Sequence, residues 1–201
     1  MWRLLLACSP FITDYTRTMS TFTYFAYGSN MLTSRLVARC ASARAIGPAY
    51  ADGYAFAYGK RSLDESAKGA LFPSPLARAY GVLFTIDTAD KARLDQFEGP
   101  GYWCRCDFDV IRLADETSVR ATTYLAKERV VDLLPYDWYA ALILAGAAEH
   151  GLLDHAPDFL KGLAWRGDPD LGRVTRLEAI ELLKGADVGD PLQFLNDHQR
   201  S

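Results

Sequence analysis

The sequence predicts an α+β fold built on a mixed, mainly antiparallel sheet that is flanked by helices. Its strand-like segments are short, rich in β-branched and aromatic residues, and bounded by turn residues. Residues 102–113 and 119–126 are separated by a short polar stretch, which is typical of an antiparallel hairpin. Helix patterns lie between the strands at irregular intervals, whereas a doubly wound parallel sheet needs a regular alternation of strand and helix.

Length and composition indicate one globular domain with at most an appendage. The chain has 201 residues, of which 50% are hydrophobic and 23% charged. A net charge of −3 and the lack of a long basic run argue against nucleic acid as a partner. No apolar run approaches the roughly 18 to 20 residues that span a bilayer, so we expect no membrane segment.

The cysteines show neither a disulfide pattern nor zinc-like spacing. Cys8, Cys40, Cys104 and Cys106 include no Cys-x-x-Cys pair, and the histidines are scattered. We therefore expect no metal site and buried or half-buried free thiols in a cytoplasmic protein, with Cys104 and Cys106 on one face of a strand. Nothing places Cys40 or Cys104 at a helix start or beside a base, which disfavours a cysteine nucleophile.

We expect three parts along the chain. Residues 1–8 contain one positive charge and an apolar segment shorter than the roughly 7 to 15 residues of a secretory signal. Because Met19 directly precedes the domain pattern, we interpret residues 1–18 as a disordered leader or as the product of a start codon placed too far upstream. Residues 19–162 form the predicted domain, and residues 163–201 form a helical C-terminal extension.

The first half of the domain begins with a strand over residues 21–27 and a short amphipathic helix. Leu32 and Leu36 recur every four positions on its sheet-facing side, and Arg35 and Arg39 lie on the other side. Gly47-Pro48 predicts a break before a strand over residues 53–59 and a polar loop over residues 60–68. Pro73 and Pro75 then exclude a central strand.

The second half adds three helices to the predicted hairpin. Thr88 is a candidate cap for a helix over residues 89–97, in which Leu94 and Phe97 face inward. Residues 136–150 form a helix that is apolar on most of its surface and therefore mostly buried. A short helix is plausible over residues 157–163, and a capping box starting at Thr175 predicts a further helix that ends at Gly185.

Residues 24–31 form the pattern on which the functional argument depends. An aromatic run stops at Gly28 and a helix pattern follows, so Gly28 is expected to allow positive φ and close approach, and Ser29 or Asn30 to cap the helix. Backbone N–H groups at such a turn can bind a carboxylate or a developing oxyanion. Alternatively, this is an ordinary strand-to-helix connection in which Ser29 and Asn30 only satisfy helix-end donors.

Two motifs resemble the γ-glutamylcyclotransferase-like, or AIG2-like, family. They are Tyr27-Gly28-Ser29-Asn30-Met31 and, about seventy residues later, Leu94-Asp95-Gln96-Phe97-Glu98-Gly99. Each lies at its expected strand or helix boundary, and similar segments at 81–84, 122–124 and 139–151 extend the resemblance over roughly residues 22 to 160. The resemblance implies a small, closed or nearly closed barrel flanked by helices.

The same resemblance implies an enzyme that releases 5-oxoproline from a small γ-glutamyl substrate. The substrate's own α-amine attacks its γ-carbonyl, so no protein nucleophile, metal or cofactor is needed. Glu98 matches the family's general base, and a carboxylate that is partly desolvated at a helix end has its pKa raised, which makes it a better base. The alternative is an AIG2-like protein that binds a small ligand without turnover. A homodimer is left open.

The resemblance also assigns the residues that hold the substrate. The backbone of Gly28, Ser29 and Asn30 would bind the α-carboxylate or the oxyanion, beside Tyr27 and within the motif that ends at Met31. Asp95 receives no catalytic role. The family's pocket-lining tyrosines correspond to positions that, as bare residues, could equally be core aromatics: Tyr102, Tyr124 and Tyr139.

Overall fold

The computed structural model describes residues 20–156, 164–186, 190, 193 and 195–197. The leader expected at residues 1–18 and the helix expected at residues 157–163 lie outside the described residues. Five strands close into a barrel in the order β1-β3-β2-β4-β5. The strands are β1 (Thr21–Ala26), β2 (Arg44–Arg61), β3 (Ala67–Asp87), β4 (Tyr102–Arg112) and β5 (Ser118–Ala126).

The barrel is mixed and mainly antiparallel, as predicted. β1 pairs with β3, β3 with β2, β2 with β4 and β4 with β5, all antiparallel. A parallel pairing of Tyr24 in β1 with Thr122 in β5 closes the barrel. The predicted hairpin of residues 102–113 and 119–126 is confirmed as β4 and β5. Closure removes the sheet edges that an open sheet would expose.

The β2–β3 hairpin is longer than the sequence indicates. Gly47 and Pro48 do not break β2, because a register shift between Ala45 and Gly47 absorbs the irregularity. The loop predicted at residues 60–68 is reduced to a turn between Arg61 and Ala67. Pro73 lies within β3 opposite Tyr54, in the stretch where β3 pairs with β2 before β1 joins at Val82. Prolines are tolerated there because one side of the strand carries no ladder.

The helices pack on the barrel and around one central helix. They are α1 (Thr33–Arg39), α2 (Lys91–Glu98), α3 (Asp137–Glu149), α4 (Leu152–His155) and α5 (Val174–Lys184). As predicted, α3 is buried on nearly all sides. Its Gly146 allows the turn before α1 to approach, because a Cβ there would lie 2.4 Å from the Leu32 backbone nitrogen. The turn after β1 is thereby fixed against the core.

The predictions for two helix starts and for one buried side chain are wrong. A 3₁₀ turn over Thr88–Asp90 precedes α2, and the Thr88 hydroxyl donates to the Ser20 carbonyl instead of capping the helix. α5 starts after Arg173, so no capping box forms at Thr175, although Gly185 does end the helix. Phe97 is 47% exposed and does not face inward. It lies instead against the guanidinium groups of Arg39 and Arg93.

The segment after residue 163 is tied to the same core where it is described. Ala179 and Leu183 of α5 are fully buried in the cluster that contains α3. The buried Asp168 carboxylate accepts hydrogen bonds from Trp138 Nε1 at 2.9 Å and from Arg173 Nε at 2.7 Å. None of the helices in the described part of the chain combines the length and the apolar character that crossing a bilayer requires.

Candidate active site

A cavity of about 210 Å³ opens where the end of β1, α1, α2 and α3 meet the β2–β3 hairpin. It brings together side chains from the whole length of the domain, and almost all the residues predicted for the site line it. The lining residues are Tyr24, Tyr27, Gly28, Ser29, Asn30, Arg35, Arg39, Lys60, Ser62, Asp64, Lys68, Gly69, Phe97, Glu98, Tyr102, Tyr124, Trp138, Tyr139 and Thr175.

Glu98 enters this cavity from the last turn of α2. Gly99, at φ 75°, ends the helix immediately after it, a backbone conformation that favours glycine. The Glu98 Oε1 atom accepts hydrogen bonds from the Tyr24 hydroxyl and from Asn30 Nδ2, both at 2.9 Å. Among the described residues no donor is bonded to Oε2. The second motif thus meets the first through the bond from Asn30, and it meets strand β1 through the bond from Tyr24.

Burial raises the pKa of the Glu98 carboxyl, in the direction expected for a general base. The Arg39 guanidinium is the largest opposing influence, followed by the hydrogen bond from Tyr24 and the charges of Lys60 and Arg35. Burial and the neighbouring cations therefore act in opposite directions on the pKa of this carboxyl, and the effect of burial is the larger. The carboxyl is thus more basic than an exposed glutamate.

The role of Gly28 in the turn after β1 differs from the prediction. Gly28 has φ −115°, so the positive φ that was expected is not observed. Glycine is favoured there because a Cβ would lie only 3.3 Å from the Tyr139 hydroxyl oxygen. Met31 N–H donates to the Gly28 carbonyl at 2.9 Å, which leaves Ser29 and Asn30 at the start of a 3₁₀ turn. The first N–H groups of such a turn lack intrahelical acceptors.

The side chains of Ser29 and Asn30 do not cap a helix. Ser29 Oγ accepts from Arg35 Nε at 3.1 Å, and Asn30 Oδ1 accepts from Arg39 Nη1 at 2.9 Å. Helix α1 follows Leu32 and has no side-chain cap. The amide of Asn30 is therefore oriented by Arg39 so that its NH₂ group faces Glu98, which is a more specific role than helix capping.

The four predicted tyrosines all line the cavity, and each is anchored by its hydroxyl. Tyr27 donates to the backbone carbonyl of Tyr124, and the Tyr124 hydroxyl donates to Asp95 Oδ1 at 2.6 Å. Tyr102 donates to the Gly69 carbonyl at 2.7 Å, while the Gly69 N–H donates to the Tyr139 hydroxyl at 3.0 Å. Burial raises the pKa of all four phenols, so they line the cavity as neutral groups.

Met31 is the one predicted site residue that the structure does not bring to the cavity. Its side chain is fully buried in the core, and its backbone lies against Gly146 of α3. The residue completes the motif because it packs the turn onto α3. Its contribution is to position Ser29 and Asn30.

Sequence reasoning missed the basic side chains of the cavity. Arg35 and Arg39 were placed on the far side of α1, yet Arg35 is only 9% exposed and lines the cavity. Burial and the neighbouring Arg39 lower the pKa of Arg35 to about 9, so it is still a cation at neutral pH. Two arginines four residues apart, directly after the first motif, were the available signal.

Two lysines from the predicted loop complete the basic lining. Lys68 forms an ion pair with Asp64 at 2.8 Å, and burial lowers the Lys68 pKa to about 8. Lys60 forms no ion pair with a described residue; its ammonium lies 4.9 Å from the centre of the Tyr102 ring. Burial lowers the pKa of Lys60 as well, with Glu98 opposing the shift. Both lysines project from the β2–β3 hairpin, in a segment that the sequence predicted to be a loop.

The three cysteines in the described part of the chain do not line the cavity. Cys40 is buried, whereas Cys104 and Cys106 are exposed rather than half-buried. Within the described ranges no three His, Cys, Asp or Glu side chains are close enough to hold a metal ion.

A family model described as γ-glutamyl cyclotransferase, AIG2-like, matches residues 24–141. The chain belongs to this family. The match spans more than half of the chain and includes every predicted site residue. A search of curated proteins finds no match.

The same fold is found in solved structures. One described as a γ-glutamyl cyclotransferase has a TM-score of 0.71 at 24% identity, covering 83% of this chain and 99% of its own. An uncharacterised protein from Homo sapiens has a TM-score of 0.70 at 26% identity, with coverages of 82% and 98%. YkqA from Bacillus subtilis has a TM-score of 0.55 at 20% identity, covering 74% of this chain and 56% of its own.

Proposed function

We propose that this protein is a γ-glutamylcyclotransferase-type enzyme that releases 5-oxoproline from a small γ-glutamyl amide, without a cofactor. The observation that carries the proposal is the Glu98 carboxylate inside the cavity, held by Tyr24 and Asn30 with its pKa raised by burial. Family membership supports the type of reaction, and this geometry supports Glu98 as the group that moves the proton.

The reaction needs one base that later serves as an acid. The substrate's α-ammonium is protonated near neutral pH, so Glu98 first accepts a proton from it. The free amine then forms a C–N bond to the γ-carbonyl carbon, and the carbonyl oxygen becomes an oxyanion. As the intermediate collapses, protonated Glu98 gives its proton to the departing nitrogen and the bond to the leaving amine breaks. Glu98, ionised again, takes the second proton from the ring nitrogen, which leaves 5-oxoproline, and passes it to the amine, which departs as an ammonium.

Glu98 has one oxygen committed to positioning and one available for this chemistry. Oε1 accepts both hydrogen bonds from the protein, which fixes the plane of the carboxylate. Oε2 is therefore the atom that accepts and returns the proton. A fixed carboxylate gains rate because it is already oriented toward the amine before ring closure starts.

The turn after β1 and the side chain behind it provide the anion-binding groups. The Ser29 and Asn30 N–H groups start a 3₁₀ turn at the cavity wall and can donate to the oxyanion or the α-carboxylate. Arg35 lies behind Ser29, with its Nε bonded to Ser29 Oγ at 3.1 Å. A buried guanidinium there favours a bound carboxylate, which adds Arg35 to the substrate-binding residues.

The charges of the cavity favour a substrate with an acidic leaving group. Among the described lining residues, the four cations outnumber the two carboxylates, Asp64 and Glu98. The glutamyl half of the substrate is a zwitterion and leaves this imbalance unchanged. A leaving amine that carries its own carboxylate, as in a γ-glutamyl amino acid or peptide, would place that carboxylate within reach of the cations. Lys60, without an ion-pair partner among the described residues, is the best placed.

The decisive experiment measures 5-oxoproline released from γ-glutamyl dipeptides, γ-glutamyl amines and glutathione. Glu98→Gln keeps the size of the side chain but removes proton acceptance. We expect kcat to fall by roughly 10²- to 10⁴-fold while KM changes little. Glu128→Gln is the matched control, because Glu128 is exposed and does not line the cavity. An unchanged kcat in folded Glu98→Gln would refute the assignment of the base.

A different result would indicate a binding protein rather than an enzyme. If the wild type binds γ-glutamyl compounds but releases no 5-oxoproline from any of them, Glu98 acts only as a counter-ion for the ligand's ammonium. Calorimetry on the same panel separates the two functions. Under that result Glu98→Gln weakens binding directly, whereas in the enzyme it acts mainly on kcat.

A further inference from the structure

Strand β4 carries two exposed thiols whose sulfur atoms almost touch. Cys104 Sγ and Cys106 Sγ are 3.7 Å apart. Side chains two positions apart in a regular strand share a face but are separated by about 6.6 Å along it. The β4–β5 pairing shifts register between Arg105 and Phe108, so the strand bulges over Cys106 and Asp107. This bulge is what allows the two thiols to approach.

We propose that Cys104 and Cys106 form a reversible intramolecular disulfide by exchange with small-molecule disulfides. The thiolate of Cys106 attacks one sulfur of the small disulfide, forms a mixed disulfide and releases one small thiol. Cys104 then attacks the sulfur of Cys106, and the second small thiol leaves. Two protein thiols are oxidised, one small disulfide is reduced to two thiols, and the two protein protons end on the released thiols.

The order of the two steps follows from the surroundings of Cys104. Burial raises the pKa of the Cys104 thiol, and the Cys106 thiol adds to this, while Lys91 opposes it. Because a raised pKa leaves less of the Cys104 thiol ionised, Cys106 is assigned the attack on the small disulfide, and Cys104 resolves the mixed disulfide. Lys91 is held beside this pair by its ion pair with Asp95 at 2.5 Å.

The geometry favours a disulfide that forms readily and is also reduced readily. The sulfurs must move together by roughly 1.7 Å to reach bonding distance. A ring that contains only one intervening residue is strained, and strained, exposed disulfides are the reducible ones. The reaction is independent of the cavity chemistry, because neither thiol lines the cavity.

The test uses the full chain with Cys8→Ser, since Cys8 lies outside the described residues. This parent is incubated under native conditions with oxidised and reduced glutathione at several ratios, quenched in acid, alkylated and analysed by intact mass and peptide mapping. We expect two thiols to be lost together, without an added glutathionyl group, and the linkage to map to Cys104 and Cys106. Excess reduced glutathione should restore both thiols.

Variants that lack one of the two exposed cysteines, in the same background, show whether the second thiol resolves the mixed disulfide formed by the first. Cys104→Ser and Cys106→Ser each leave one exposed thiol, which should retain glutathione as a mixed disulfide. The mixed disulfide should be at least about tenfold less abundant in the parent, since an intramolecular thiol outcompetes the solution thiol. Cys40→Ser should behave as the parent does, because Cys40 is buried.

Three results would overturn the proposal. In the first, the parent accumulates as much mixed disulfide as the variants that lack Cys104 or Cys106. In the second, it keeps both thiols free under oxidising ratios. In the third, the mapped linkage joins other cysteines or two chains. Circular dichroism of each variant shows that it is folded before its thiols are counted. The outcome does not depend on whether the protein turns over a γ-glutamyl substrate.

Discussion

Tyr24→Phe removes one of the two hydrogen bonds that hold the Glu98 carboxylate and leaves the aromatic packing in place. Tyr24 is 4% exposed, and its hydroxyl donates to Glu98 Oε1 at 2.9 Å. This bond favours the ionised carboxylate and so lowers its pKa against the opposing effect of burial. Without it, the pKa of Glu98 should rise further.

The size of the pKa shift follows from the free energy that one charge-assisted hydrogen bond contributes. Such a bond contributes about 1.5 to 3 kcal/mol, and each 1.36 kcal/mol corresponds to one pKa unit. The lower end applies here, because Asn30 Nδ2 still donates to the same oxygen at 2.9 Å. We expect the pKa of Glu98 to rise by about one unit.

The pH dependence of kcat for 5-oxoproline release measures this shift. The base works only when ionised, so the acid limb of the profile reports the pKa of Glu98 in the substrate complex. In Tyr24→Phe this limb should move to higher pH by about one unit, while the plateau above it changes less. Tyr50→Phe is the matched control, since it removes a 2.9 Å bond to Glu116 outside the cavity. A limb that stays in place, or moves to lower pH, would refute the reasoning.

Three further predictions address substrate choice, mechanism and packing. Lys60→Met should lower kcat/KM about tenfold or more for substrates whose leaving amine carries a carboxylate, but not for substrates with a neutral leaving amine. The control Lys127→Met should leave kcat/KM unchanged for both substrate types. Equal losses on both types in Lys60→Met would contradict the charge argument. Turnover should survive exhaustive chelation, because intramolecular aminolysis needs no Lewis acid; activity that is lost and then restored by zinc or manganese would count against the mechanism. Gly146→Ala should lower stability by about 1 to 3 kcal/mol, since its Cβ would meet Leu32 N at 2.4 Å; a melting temperature as unaffected as that of Gly167→Ala, where the space is open, would show that the turn can move.

Interactions within a short stretch of chain were readable from the sequence. The β4–β5 hairpin, the buried α3 helix and the helix end at Glu98-Gly99 depend on periodicity and on turn residues that act over a few positions. The order of the two motifs pointed to the family and to Glu98 through resemblance. The same local reasoning was wrong where it took Gly47-Pro48 as a break and residues 60–68 as a loop, because a register shift and a tight turn keep β2 and β3 paired there.

Only the tertiary structure decided which surfaces face the cavity. Periodicity shows that Arg35 and Arg39 share one side of α1, but not that this side is turned inward by the closed barrel. The hydrogen bond between Asn30 and Glu98 joins residues 68 positions apart, and the one from Tyr24 spans 74. Such contacts exist because β1 and β5 close the barrel and Gly146 seats the turn on α3. A sequence specifies them only through the packing of the whole domain, which no local pattern contains.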